Sequence, residues 1–238
     1  MKFEQHGKEV INLEIKYNPF EFAESNLFKR LSNIYGYVKE NKPEIYDELI
    51  EKVSQKIKLL PKKDFFTNKS KVIERIAQCN YLLENQDSVI RHLNIFIDTQ
   101  GITDSEYWQK NEIKIPAKNF MHSAKDLYFL YITSLVEIIG KENTIEIYKK
   151  MIDSYVRKYD TNQLNIFNDL EDMRTRVIRW VDNNPYGRVR LISTVENGRL
   201  IEICKNCEKV QYLDDFDELD GDLLYIESCY CHKPLAEM

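Results

Sequence analysis

The chain has 238 residues, 43% of them hydrophobic, enough for one large packed interior or for a core domain with a small appendage. Its formal net charge is −5 and its sequence pI is near 5.6, so it lacks the global basic field that draws proteins onto nucleic acid or anionic lipid, and the expected partner is a small-molecule substrate or another protein. No apolar stretch reaches the roughly 18 residues that span a bilayer, and the opening MKFEQHGKEV lacks the basic-then-apolar order of a secretory signal, so the expected compartment is cytoplasmic, without membrane association.

Seven glycines and six prolines are few for this length and suit helices joined by short turns; the fifteen tyrosines are expected to supply much of the aromatic core. Ile11, Leu13, Ile15 and Tyr17 alternate as a short strand that ends before Pro19. From Phe20 to Lys39, Ala23, Leu27, Leu31, Ile34, Tyr35 and Val38 recur at three- and four-residue intervals, the pattern of an amphipathic helix. Pro43 suits the first turn of a second helix, whose stripe Ile45, Leu49, Val53, Ile57 and Leu60 runs to Pro61.

Residues 69 to 98 carry a third helical stretch, broken near Asn85, with Val72, Ile76, Cys79, Leu82, Leu83, Val89, Leu93 and Phe96 facing inward. Cys79 reads there as a small buried hydrophobe. Thr99 to Asn119 has no sustained period and is expected to be a connector pinned by Tyr107 and Trp108.

The clearest helix is expected from Ser123 to Ile139, with Ser123 and Asp126 as a variant capping box and Gly140 as its stop. A further helix runs from Lys141 to about Tyr159, with Ile145, Tyr148, Met151, Ile152 and Tyr155 inward, and a last one from Leu164 to Val181. After Pro185-Tyr186-Gly187 the period changes to two. Val189 to Val195 and Leu200 to Ile203 flank Asn197-Gly198, the signature of a hairpin with a type I′ turn.

The returning strand runs into Cys204, and Cys204-x2-Cys207 is followed, after 21 intervening residues, by Cys229-Tyr230-Cys231-His232. A Cys-x2-Cys pair at the end of a hairpin strand brings two thiolates to about the separation that tetrahedral zinc requires. Five candidate ligands compete for four positions, and Cys204, Cys207, Cys229 and one of Cys231 or His232 form the preferred set. Such a centre is structural with four protein ligands, or catalytic with three and an open position, with Glu202, Glu208 and Glu227 near in sequence. A thiolate nucleophile and a copper(I) site are further readings of the same residues.

Leu223 to Ile226 reads as strand-like, and the six carboxylates between Asp214 and Asp222 read as a solvated acidic loop, whose charge disfavours a nucleic-acid-binding ribbon. There is no glycine-rich phosphate loop, dinucleotide fingerprint, His-Glu-x-x-His pair or Gly-x-Ser-x-Gly elbow. His122 with Asp126 one turn on is a candidate acid/base pair, or an interfacial cap; His6 and His92 show no partner in the sequence.

Leu127-Tyr128-Phe129-Leu130-Tyr131 through Leu135 to Asn143, then Tyr148-Lys149-Lys150 and Tyr155 to Tyr159, resembles the helix pair of the L-2-amino-thiazoline-4-carboxylic acid hydrolase family. Glu196-Asn197-Gly198-Arg199 leading to a cysteine, and Leu224-Tyr225 leading to Cys229-Tyr230, are similar to that family's terminal pattern. The resemblance covers residues 120 to 238; an added cysteine in the 204/207 pair, and Cys231-His232 where an acidic residue is usual, depart from it. It implies an intracellular hydrolase that opens a cyclic amidine or thiazoline ring with water, with Cys229 and Cys204 or Cys207 at the site; the polar residues His122, Asp126 and Arg157 on or beside the helix pair fit such an activity.

The expectation is thus an α+β, mostly α-helical chain: a helical core of about six helices over residues 1–183, and a docked β-hairpin with a Cys/His zinc knuckle over 184–238. The expected function is a hydrolase-like activity on a small cyclic substrate. The alternative is a non-enzymatic interaction or regulatory module stabilised by structural zinc.

Overall fold

The computed structural model describes residues 5–6, 14–59, 69–102, 112–156, 168–183, 190–205 and 220–228. The fold is α+β and mostly helical, and it divides into two compact units: Glu14–Met151, and Met1–Leu13 with Ile152–Met238. None of the helices among the described residues is long and apolar enough to cross a membrane.

The Glu14–Met151 unit opens with β1 (Glu14–Tyr17), which pairs antiparallel with β2 (Ile113–Pro116) and sets Ile15 opposite Ile115, both buried. The expected strand is therefore present over Glu14–Tyr17, with Ile11 and Leu13 outside the described residues, and its partner lies inside the stretch expected to be a connector. Residues 103–111, with Tyr107 and Trp108, lie outside the described residues. Lys114 pairs with Glu14, and Lys16 with Glu112 at 3.0 Å, on the exposed side of this ribbon.

Asn18 caps the next element through its side-chain oxygen, which accepts from the Glu21 N–H at 3.1 Å, and Pro19 occupies the first helical position. The helix expected over 20–39 is three pieces: α1 (Pro19–Ala23), a π-helical turn (Glu24–Phe28) and α2 (Lys29–Asn41). Ser25 and Asn26 bond back to carbonyls of Glu21 and Phe22 in that wide turn, the local competition that short polar side chains offer to the regular ladder.

Helix α3 (Pro43–Leu59) buries Ile45, Tyr46, Leu49, Val53 and Ile57, one face repeating every fourth residue. Next come α4 (Lys69–Ile76), α5 (Asn80–Glu84) and α6 (Gln86–Thr99). The break at Asn85 is present, and a second one falls at Cys79. That residue has extended backbone, φ −120° and ψ 101°, and is half-buried; its Sγ lies 3.0 Å from Ser32 Oγ. Cys79 is thus a joint residue and not a core residue of a continuous helix, because only a non-helical step turns the stripe of α4 into that of α5.

Helix α7 (Ala117–Ile139) starts directly after Pro116, six residues before the expected cap. Ser123 is fully buried inside it and is not its N-cap, because the strand-ending proline defines the start of the helix. From Phe129 to Leu135 every residue is buried, and α7 packs against α3 and α6. Gly140, at φ 79° and ψ 162°, ends α7 and begins α8 (Lys141–Val156): its N–H donates to Val136 O, and its carbonyl accepts from the Thr144 N–H and hydroxyl. That region of backbone space is essentially restricted to glycine. On α8 Ile147, Tyr148, Met151 and Ile152 are buried, whereas Ile145 and Tyr155 are half-buried.

The second unit holds β3 (Gln5–His6), α9 (Leu170–Asn183), β4 (Arg190–Glu196), β5 (Arg199–Lys205) and α10 (Gly221–Ser228). Its antiparallel sheet has the order β3-β4-β5. Asp169 caps α9 by accepting from the Asp172 N–H at 2.8 Å, which starts the helix at Leu170 and not at Leu164; residues 164–167 lie outside the described residues. Helix α9 packs on the sheet, and Arg174 Nε donates to Ser193 O at 2.9 Å. The sequence boundary at 183/184 separated α9 from the hairpin. In the structure α9 and the hairpin lie in the same compact unit, Met1–Leu13 with Ile152–Met238.

Candidate functional site

Two candidates for chemistry are the cysteine segment in the second unit and a buried polar cluster in the first. The hairpin leading to the cysteines is as expected, with Asn197 at φ 51° and Gly198 at φ 71°, the paired positive angles of a type I′ turn. Cys204 occupies the penultimate position of β5, opposite Leu191, which on its other side pairs with His6.

Helix α10 supplies the approach to the second cysteine pair. Asp220 Oδ1 accepts from the Asp222 N–H at 3.0 Å and the Leu223 N–H at 3.1 Å, a complete N-cap. The run Leu223-Leu224-Tyr225-Ile226 is therefore helical and not strand-like; Leu223, Leu224 and Ile226 are buried and Tyr225 is exposed. Short apolar runs fit either element, and the capping aspartate decides between them. The carboxylates at 214–218 of the expected acidic loop lie outside the described residues, while Asp220 and Asp222 serve the helix start.

Cys207, Cys229, Cys231 and His232 lie outside the described residues, as do Glu208 and the side chains of Cys204 and Glu227. His122 and Asp126 both fall within α7. Their side chains also lie outside the description. Among the described residues no group of three or more His, Cys, Asp and Glu gathers as a metal site would require.

The buried cluster was not foreseen. His92 on α6 is completely buried and has partners on both ring nitrogens. Its Nδ1 lies 2.6 Å from the backbone carbonyl of Ser88, which can only accept, so Nδ1 carries the proton. Nε2 is then an acceptor, and the Tyr131 hydroxyl, 2.7 Å away, donates to it. The Tyr35 hydroxyl in turn donates to the Tyr131 oxygen at 2.6 Å. One proton assignment satisfies the whole chain, which joins α2, α7 and α6 end to end.

The rings also pack. His92 and Tyr131 stack at 5.4 Å and 25°, Tyr35 and Tyr131 sit at 5.8 Å, and Tyr46 meets Tyr35 edge-on at 6.3 Å. Burial drives the titration of all three core groups away from charge. Desolvation lowers the His92 imidazole to about 4, helped by the nearby Arg91 charge and opposed by the Ser88 carbonyl. Desolvation lifts Tyr35 to about 12 and Tyr131 well above its ordinary value. The cluster is a neutral, fully hydrogen-bonded polar core.

A signal for it was present in the periodicity. His92 falls three residues after Val89 and four before Phe96 on the inward stripe of α6, with Ser88 four residues earlier, and Tyr35 sits on the stripe of α2. Compared with known protein families, with curated proteins and with solved structures, the chain shows no match.

Proposed function

We propose that this chain is a metal-binding protein in which Cys204, Cys207, Cys229 and one of Cys231 or His232 hold a single zinc ion. The observation that carries the reading is the pair of well-defined approaches to the cysteine segments. A hairpin with an Asn197-Gly198 turn leads to Cys204, and a helix capped by Asp220 ends one residue before Cys229. Thiolates at the exits of rigid elements are preorganised, and tetrahedral zinc draws its ligands from such pairs. A reducing, cytosolic setting, where thiols stay free, belongs to this reading.

Elemental analysis of protein from unsupplemented cells tests it. About one zinc per chain is expected, falling to near zero in Cys207→Ser and Cys229→Ser. A folded, metal-free chain overturns it.

A second reading is a hydrolase that opens a cyclic amidine or thiazoline ring. It is supported by the helix pair that carries the family resemblance, α7 and α8 joined at Gly140. In that reading Cys229 acts at the substrate. Loss of 2-amino-thiazoline-4-carboxylate turnover in a folded Cys229→Ser protein is the expected result, and a wild-type protein without turnover removes the reading.

A further inference from the structure

We propose that His92 is an acid-sensitive latch in the Glu14–Met151 unit, whose protonation releases α6 from α2 and α7 and loosens the helical core. The imidazole is completely buried, and each ring nitrogen already has a defined role, Nδ1 donating to Ser88 O and Nε2 accepting from Tyr131. A second proton must enter on Nε2. The Tyr131 hydroxyl then has to turn away and donate to Tyr35, and the Tyr35 hydroxyl has to give up Tyr131 as its acceptor. Reversing the hydroxyls restores hydrogen bonds but not the lost hydration of the charge.

Among the described residues, no counter-charge faces the cation. From α2 comes Tyr35, from α7 Tyr131, and from α3 Tyr46, edge-on to Tyr35; Tyr148 of α8 acts on Tyr131. Tyr35, Tyr46 and Tyr131 are shifted by burial toward staying neutral. On α6 itself the charged neighbour is Arg91, of the wrong sign. The ion pair of Lys39 on α2 with Glu84 on α5 is exposed, with the Lys39 ammonium 5.3 Å from the Tyr46 ring. Among the described residues no carboxylate bonds to His92.

Acid therefore meets a site that can take up a proton only by opening. The carboxylates held low by ion pairs, such as Glu137, Glu146 and Asp172, lose that stabilisation as pH falls below their ordinary values, 4.5 for the glutamates and 3.8 for the aspartate, so the interval between pH 6.5 and 4.5 belongs to histidine.

Urea unfolding of the full chain across that interval, followed by intrinsic tyrosine and tryptophan fluorescence, tests the latch against His92→Gln, whose amide does not titrate. The wild-type midpoint is expected to hold above pH 6.5 and to fall steadily toward 4.5, while the variant midpoint stays level. A level wild-type midpoint, or a variant that falls in parallel, overturns the proposal. Where His92→Gln does not fold, NMR of the imidazole nitrogens in the wild type decides: a ring that remains the neutral Nδ1–H tautomer to below pH 5 in folded protein supports the latch, and one that titrates near 6.5 overturns it.

Discussion

The Tyr131 phenol donates to His92 Nε2 at 2.7 Å while the two rings stack at 25°, so one pair of residues supplies both a polar bond and an aromatic contact between α7 and α6. Replacing Tyr131 with Phe keeps the stack and removes the bond, leaving Nε2 without a donor and the Tyr35 hydroxyl with only its Ser88 side-chain partner. A loss of about 2 to 3 kcal/mol is expected in urea denaturation, since unsatisfied buried groups cost more than a bond contributes. Tyr35→Phe and Tyr131→Phe together should cost less than their sum, because they break one chain.

The pH dependence of stability follows from His92. Its folded value, about 4, lies below the ordinary 6.5, so the unfolded state binds the proton more readily. Stability is full above about pH 6.5 and declines as pH falls toward 4, by roughly 3 kcal/mol across the window. Thermal unfolding at pH 7.5 and pH 4.5 measures the larger part of this, and an equal Tm at both values would contradict it.

Glu137 of α7 offers a contrast. Partial burial acts to raise its carboxyl, but hydrogen bonds from Lys52 and Lys56 outweigh this and hold it below the usual range. The ion pairs measure 2.8 and 2.6 Å and remain partly exposed. Solvent screening makes Glu137→Gln cost under about 1 kcal/mol, with the effect disappearing at high salt. Its contribution is present above the ordinary carboxylate value near 4.5 and is lost as pH falls below it.

Gly140 joins α7 to α8 at φ 79° and ψ 162°, with open space where a Cβ would stand. Gly140→Ala therefore meets no clash and pays in backbone strain alone. About 1 to 3 kcal/mol of destabilisation is expected from calorimetry.

On the zinc reading proposed above, Asp220 links helix stability to metal affinity in the second unit. Asp220→Ala removes the acceptor for two helix N–H groups, costing about 1 kcal/mol of α10 stability. As α10 ends next to Cys229, zinc affinity measured by competition with a chromogenic chelator should weaken severalfold, while Asp222→Ala, which keeps the cap, leaves it within about twofold.

Signals that act between near neighbours were legible in the chain. The stripe Ile45, Leu49, Val53 and Ile57 defined α3, and Asn197-Gly198 defined the hairpin, because helical period and turn chemistry are local. The cysteine spacing likewise states a candidate metal centre without reference to any contact. Where two local signals competed, reading along the chain misjudged the outcome. Leu223 to Ile226 suited strand or helix until the Asp220 cap settled it, and Ser123 resembled a cap until Pro116 set the start of α7. The polar core belonged to tertiary structure alone: residues 35, 92 and 131 are separated by tens of positions, and His92 looked solitary until α2, α6 and α7 packed. Periodicity assigns a residue to the inward face of its own helix, but only packing chooses which side chain meets it there, and that meeting fixes the tautomer of His92 and its resistance to charge.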